Sequence, residues 1–273
     1  MTSTTPLPLE DHFNDILGKA LRGQGLAESE AAARSGLPRE SVHALFFGEF
    51  DETATRKLAP ILGLNADALA ASGRKAWRPE PVEIAGLAQF TTPWEDMMVN
   101  SYLVWNPATR VAIAFDTGAD CDPMLKFAEE KNLRIQLIAL THTHGDHVFD
   151  LDRLKSKTGA RAIVSSREPL EGADPVADLE PIQVEGLKVE ARSTWGHSPG
   201  GLTYVVHGLA RPVAIVGDAV FAGSMGGGMI SYADALRTNR AEILTLPDET
   251  ILCPGHGPLT TVGEEKQHNP FLA

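Results

Sequence analysis

Ile135-Gln136-Leu137-Ile138-Ala139-Leu140 reads as a buried strand that runs straight into Thr141-His142-Thr143-His144-Gly145-Asp146-His147. This junction decides how the rest of the chain is read. Three imidazoles and a carboxylate within the hexapeptide 142–147 serve no packing purpose, whereas a compact nitrogen-and-oxygen metal site calls for such a cluster. His142 and His144 are two residues apart, so an extended backbone leaving the strand points both to one side. Gly145 permits a sharp bend, after which Asp146 and His147 turn toward a second point nearby.

Further along stand His197 in Trp195-Gly196-His197-Ser198-Pro199-Gly200, Asp218 in Val216-Gly217-Asp218-Ala219, and His256 in Pro254-Gly255-His256-Gly257. Five of the nine histidines belong to this series. His197 completes a trio with His142 and His144, and His256 a second trio with Asp146 and His147. Asp218 follows an apolar strand and has two oxygens with which to bridge two ions. Three protein ligands per ion leave coordination positions for water. The set is free of cysteine, which argues against a closed structural zinc site. Cys253 lies near His256 but reads as a packing residue at a strand end. The expected cofactor is a pair of divalent ions, zinc first, with iron or manganese as the other candidates.

The neighbouring elements follow the same logic. Strands are expected at 101–105 and 110–115, joined as a hairpin through Asn106-Pro107, and then at 162–165, 187–192, 203–206, 213–216 and 250–253. Helices are expected at 122–131 and 151–158. Each candidate ligand falls at or just past a strand end, where a sheet holds side chains firmly and leaves room for substrate.

Before residue 77 the texture differs. Residues 10–72 read as short helices: 11–23, 28–35 stopped by Gly36, 39–47 opened by Pro38, 51–62, and a last one capped by Asn65. Residues 1–76 are therefore assigned to a small all-α domain, 77–81 (Trp77-Arg78-Pro79-Glu80-Pro81) to a linker, and 82–273 to the domain carrying the ligands. The chain of 273 residues carries a net charge of -12, which disfavours a phosphate backbone as its main partner. No apolar run reaches the roughly 20 residues a membrane helix needs. The first dozen residues lack a basic start and an apolar core, so no signal peptide is read, and two cysteines point to a reduced, cytoplasmic setting.

The His-x-His-x-Asp-His loop followed by spaced His197, Asp218 and His256 resembles the signature of the metallo-β-lactamase fold superfamily over residues 82–272. The resemblance implies an α/β fold, an αββα sandwich with the metal site at one edge between two sheets. It implies that the seven residues are ligands, with Asp146 also the catalytic group that orients a hydroxide and manages its proton. β-Lactamases of the superfamily generally lack an aspartate at the bridging position, which Asp218 fills here. Its lactonases carry a tyrosine three residues after that aspartate, where this chain has Phe221. Its nucleases usually add a domain after the core. The segments 217–224 and 254–271 are similar to those of short glyoxalase II-like hydrolases. The helical C-terminal domain with which full-length glyoxalase II enzymes grip glutathione does not follow them, so thioester hydrolysis is carried over as a reaction type rather than glutathione specificity.

Residues 13–70 resemble a five-helix helix-turn-helix domain of the phage-repressor type, carried by Ala32, Gly36, 38–47 and Leu58-Ala59-Pro60-Ile61-Leu62-Gly63-Leu64. Residues 1–75 hold eight Lys/Arg against ten Asp/Glu, and the groove-facing helix ends in Leu45-Phe46-Phe47. That composition suits protein contact, such as homodimerisation or covering of the active site, better than DNA. Met225 and Met229, in the glycine-rich stretch 223–229, are expected as an adaptable apolar wall for substrate, with Tyr232 and Arg237 as further substrate candidates. The leading function is a binuclear metallohydrolase acting on a small ester or thioester. The alternatives are a mononuclear iron persulfide dioxygenase and a ligand- or metal-responsive DNA-binding regulator.

Overall fold

A computed structural model describes residues 7–176 and 181–273. The amino-terminal third holds five helices: α1 (Phe13–Gly23), α2 (Glu28–Ser35), α3 (Arg39–Phe46), α4 (Glu52–Leu58) and α5 (Ala66–Gly73). Their boundaries follow from capping chemistry. Asp51 accepts from Ala54 N at the start of α4, and Asn65 Oδ1 accepts from Asp67 N and Ala68 N at the start of α5. Gly36, in the left-handed region at φ 66°, ends α2. The helix expected across 51–62 stops at Leu58. Pro60 has no N–H to give, and Ala59–Leu62 tightens into a 3-10 turn closed by Gly63.

The remainder forms two six-stranded sheets. The first contains β1 (Leu87–Trp94), β2 (Met97–Trp105), β3 (Val111–Phe115), β4 (Arg134–Ala139), β5 (Arg161–Ser165) and β6 (Asp174–Val176), adjacent in that order. Its first three strands are antiparallel and the last three join in parallel. The second contains β7 (Ile182–Val184), β8 (Leu187–Ser193), β9 (Leu202–His207), β10 (Val213–Gly217), β11 (Ile251–Pro254) and β12 (Thr260–Thr261). There β10 and β11 run parallel and the other pairs antiparallel. The helices α6 (Asp122–Glu130), α7 (Gly145–Val148), α8 (Leu151–Thr158), α9 (Tyr232–Thr238) and α10 (Val262–His268) complete the set.

Three apolar clusters show how these parts stack. Tyr102, Ile113, Phe115 and Leu137 of the first sheet meet Leu187, Tyr204, Ile215 and Cys253 of the second, which places Cys253 in the inter-sheet core. The outer face of the first sheet buries Leu103, Ala114 and Ile138 against Met124, Leu151 and Leu154 of α6 and α8. The outer face of the second, with Val205, Ala214 and Val216, shares one cluster with Ile16, Leu17, Leu45, Leu58 and Leu69 of the five amino-terminal helices. Full burial of each such leucine stabilises by about 1.5–3 kcal/mol. The layering is α/β, an αββα sandwich on whose second helical layer the amino-terminal helices lie.

Several elements have no counterpart in the sequence reading. β1 interrupts its apolar residues with Gln89, Thr91 and Thr92, and β6, β7 and β12 are only two or three residues long, too short to show a period of two. α9 runs directly into a π turn at Asn239–Ile243, which blurs its period of 3.6.

Candidate metal centre

The seven polar residues meet at the carboxyl ends of four strands. His142 and His144 follow β4, Asp146 and His147 sit in α7, His197 follows β8, Asp218 is the residue after β10, and His256 lies two residues past β11. They form two adjoining groups. One gathers a donor atom each from His142, His144, His197 and Asp218, the other from Asp146, His147 and His256, with all atoms of a group within 4.8 Å of one another. His142 Nε2 is 3.1 Å and His197 Nε2 3.0 Å from His144 Nδ1. Asp218 stands between the groups: one oxygen is 3.3 Å from His147 Nε2, and the other is 3.4 Å from both His197 Nε2 and His256 Nε2.

Hydrogen bonds behind the rings set which nitrogen faces inward. His147 Nδ1 donates to Asp116 Oδ2 (2.8 Å), His197 Nδ1 to the Gly227 carbonyl (2.9 Å), and His256 Nδ1 to the Met98 carbonyl (2.7 Å). Thr141 gives its one hydroxyl proton to Asp116, so its oxygen accepts from His142 Nδ1 at 3.0 Å. Four imidazoles thus have Nδ1 engaged and present Nε2 to the centre, the arrangement by which metal-binding histidines are oriented.

The loops are tied to one another as well. Glu168 accepts from Thr143 N and Oγ1 and from Gly200 N, which joins the 142–147 loop to the His197 loop. Asn100 and Tyr102 of β2 donate to the Pro254 carbonyl, and Asn100 also to that of Gly257. Gly217 has φ 50°, and a side chain there would strike Thr141. A Cβ on Gly255 would overlap the Asp218 carboxylate and the His147 ring. Close approach of backbone to a crowded centre explains both glycines.

The electrostatics describe a cluster in need of positive charge. Burial pushes His142 well below the ordinary imidazole range, reinforced by His147, and burial likewise lowers His144. For His147 burial opposes protonation, but Asp218 and Asp116 outweigh it and carry the ring to about 10. His256, opposed by burial and favoured by Asp218 and Asp146, rises to about 11. Burial also works to raise Asp218, yet His256 and His147 beside it hold its carboxyl well below the usual carboxylate range. His147 Nε2 and Asp218 Oδ1 are buried without a hydrogen-bond partner. Buried polar atoms normally have one, and a divalent cation would satisfy both atoms at once. The donor set of imidazole and carboxylate fits zinc, iron or manganese.

The substrate candidates separate. Met229 is 72% exposed, whereas Met225 is fully buried in the cluster shared with α1 and forms no wall of a pocket. Its burial follows from the hydrogen bonds that pin the stretch: Gly223 N donates to Glu265, Asn269 Nδ2 to the Ser224 carbonyl, and Gly226 N to the Asp218 carbonyl. Tyr232 packs over Gly23 at the end of α1 and beside Phe271. Arg237 is exposed and paired with Asp234 one turn back. Sequence reasoning missed Asp116, Glu168, Asn100 and Tyr102. Only Asp116 carried a signal, a carboxylate directly after the wholly apolar strand β3.

Most of the exposed large apolar side chains among the described residues, Met97, Met98, Phe149, Met229 and Ile230, belong to segments that adjoin the ligand loops along the chain or through backbone hydrogen bonds. Phe149 stacks edge-on against Trp94 at 5.0 Å, and the Trp94 ring borders Gly145. Met98 supplies the carbonyl for His256, and Met229 follows the one for His197 by two residues.

A two-sheet sandwich with adjoining histidine–carboxylate groups at one edge defines a class of metal-binding α/β proteins. Residues 94–256 match the family model described as the metallo-beta-lactamase superfamily, and the chain belongs to that superfamily. Helices α1–α5 lie outside the matched stretch. Hydroxyacylglutathione hydrolase GloC of Haemophilus influenzae is 28% identical over 198 residues, 63% of this chain and 92% of that protein. The probable metallo-hydrolase YqgX of Bacillus subtilis is 31% identical over 186 residues, 59% of this chain and 86% of that protein. Among solved structures, ETHE1 from Myxococcus xanthus aligns with a TM-score of 0.60 at 25% identity, covering 68% of this chain and 84% of that one.

Proposed function

We propose that the protein is a binuclear metallohydrolase acting on a small thioester or ester with an apolar acyl portion. His142, His144 and His197 would hold one divalent cation, Asp146, His147 and His256 a second, with Asp218 shared. The observation that carries this reading is the Asp218 carboxylate, placed between the two groups with one buried oxygen lacking a hydrogen-bond partner. Bound cations would supply Lewis acidity toward a carbonyl and lower the pKa of a water. The chain's own residues do the rest. Asp146 has its carboxyl below its ordinary value, burial being outweighed by His256, so it is ionised and able to accept a proton from an attacking water. Met97, Met98, Phe149, Met229 and Ile230 offer an apolar border for the acyl group. A thiolate leaves without needing a proton, which suits a site whose titratable groups are committed to metal.

The similarity to a hydroxyacylglutathione hydrolase supports thioester chemistry. Likeness to ETHE1 favours the second reading, iron-dependent persulfide dioxygenation, and oxygen uptake with glutathione persulfide separates the two. The decisive experiment measures metal content by mass spectrometry and turnover across acyl thioesters of increasing chain length. Asp218→Ala is expected to lower turnover by more than the roughly 100-fold that outlying partners cost, with an unchanged circular dichroism spectrum. Full turnover in that variant would sink the proposal.

A further inference from the structure

Helix α1 reaches the metal loops directly. Lys19 Nζ donates to the Met225 carbonyl at 2.9 Å and pairs with Asp11. Asp11 Oδ2 in turn accepts from Ser224 Oγ at 2.5 Å. Both charged side chains are largely buried, with 15% and 8% of their surface exposed. The ammonium also lies 5.0 Å from the centre of the Phe221 ring, and Phe221 stands edge-on to His256 at 5.5 Å. The segment so gripped, 221–227, leads to the Gly227 carbonyl that accepts from His197 Nδ1, and Gly226 N donates to the Asp218 carbonyl. A Cβ on Gly226 would meet both Asp218 and His197, so this backbone lies hard against two candidate ligands.

We infer that the Asp11–Lys19 pair positions the metal centre: the helical unit fixes the loop that orients His197 and Asp218, and through Phe221 it supports His256. A buried ion pair is a costly way to fill space, since desolvation offsets much of its attraction. What it supplies is directional hold on one backbone segment. Two separate bonds, from Lys19 to residue 225 and from Ser224 to Asp11, clamp adjacent residues of that segment. The side chain of Lys19 runs from a helix outside the family match to a loop inside it. The centre is therefore assembled from both parts of the chain.

The inference rests on the seven residues being ligands, and the test separates the two. Zinc affinity of the full chain is measured by chelator competition, and loop protection by hydrogen exchange of the metal-free protein. Lys19→Met and, independently, Ser224→Ala are expected to weaken zinc binding by about 10-fold or more, the scale for partners behind metal ligands, and to speed exchange at Gly226 and Gly227. Cobalt(II) loaded into Lys19→Met should show a shifted visible spectrum. Leu69→Ala, in the core of the helical unit, serves as the comparison: it lowers the melting temperature with zinc affinity kept. Zinc affinity and cobalt spectrum unchanged in Lys19→Met and Ser224→Ala would overturn the positioning role, as would an equal affinity loss in Leu69→Ala. Failure of the parent protein to take up zinc, cobalt, iron or manganese would instead strike the ligand reading itself.

Discussion

At the scale of single residues, Asp116 shows how much of a metal centre is built by groups that touch no metal. It is buried, has φ 54° in the left-handed region, and accepts from Thr141 N, Thr141 Oγ1 and His147 Nδ1. One carboxylate thus fixes the start of the 142–147 loop and the tautomer of its last histidine. Left-handed backbone at an aspartate costs more than at glycine, and it persists where surrounding bonds demand it. Asp116→Asn keeps the size but replaces an acceptor oxygen with a donor. Metal affinity by chelator competition is expected to fall about 10- to 100-fold. Unaltered affinity would reduce Asp116 to a loop-packing residue.

At the scale of elements, α10 and the 221–227 loop share one buried carboxylate. Glu265 accepts from Thr260 Oγ1, Asn269 Nδ2 and Gly223 N. Burial raises its pKa to about 8 in spite of these donors. In the unfolded chain a glutamate titrates near about 4.3. The folded state therefore holds a proton that the unfolded state releases, so this contribution is whole below about pH 4.3 and is lost as pH rises through about 8. Melting temperatures between pH 5 and pH 9 should fall with rising pH more steeply for the parent than for Glu265→Gln. Parallel curves would show that Glu265 is ionised in the folded protein. Nothing local signals this: Gly263-Glu264-Glu265-Lys266 looks like an exposed polar turn, and only the docking of α10 against the 221–227 loop buries Glu265.

At the scale of the whole molecule, the amino-terminal helices and the second sheet form one apolar cluster. Leu17→Ala removes a fully buried side chain from it, at a cost of about 2–5 kcal/mol. Because the cluster is shared, calorimetry should show a single transition moved down. Two separated transitions would mean that the helices unfold on their own. Helix α3 buries Val42 and Leu45, and Phe47 just past its end is exposed. No helix among the described residues is long and apolar enough to cross a membrane.

The sequence by itself determined the fold class, through the resemblance carried by its His-x-His-x-Asp-His loop, and singled out the seven residues that folding brings into two adjoining groups, because histidine is scarce here and five of the nine stand in that series. It also determined the start of α5 at Asn65 and the end of α2 at Gly36, whose effects act within a few residues, but not the end of α4, which the reading carried past Leu58 and across Pro60 to residue 62. Only the tertiary structure decided which groups stand behind those donors. Asp116, Asn100, Glu168 and Lys19 come from distant stretches, and each looks like an ordinary polar side chain until folding brings it to a particular atom. The same is true of Met225 and Tyr232, read as facing substrate and found in packing. Local chemistry writes itself into short spacings, whereas burial and partnership arise from contacts between residues far apart along the chain.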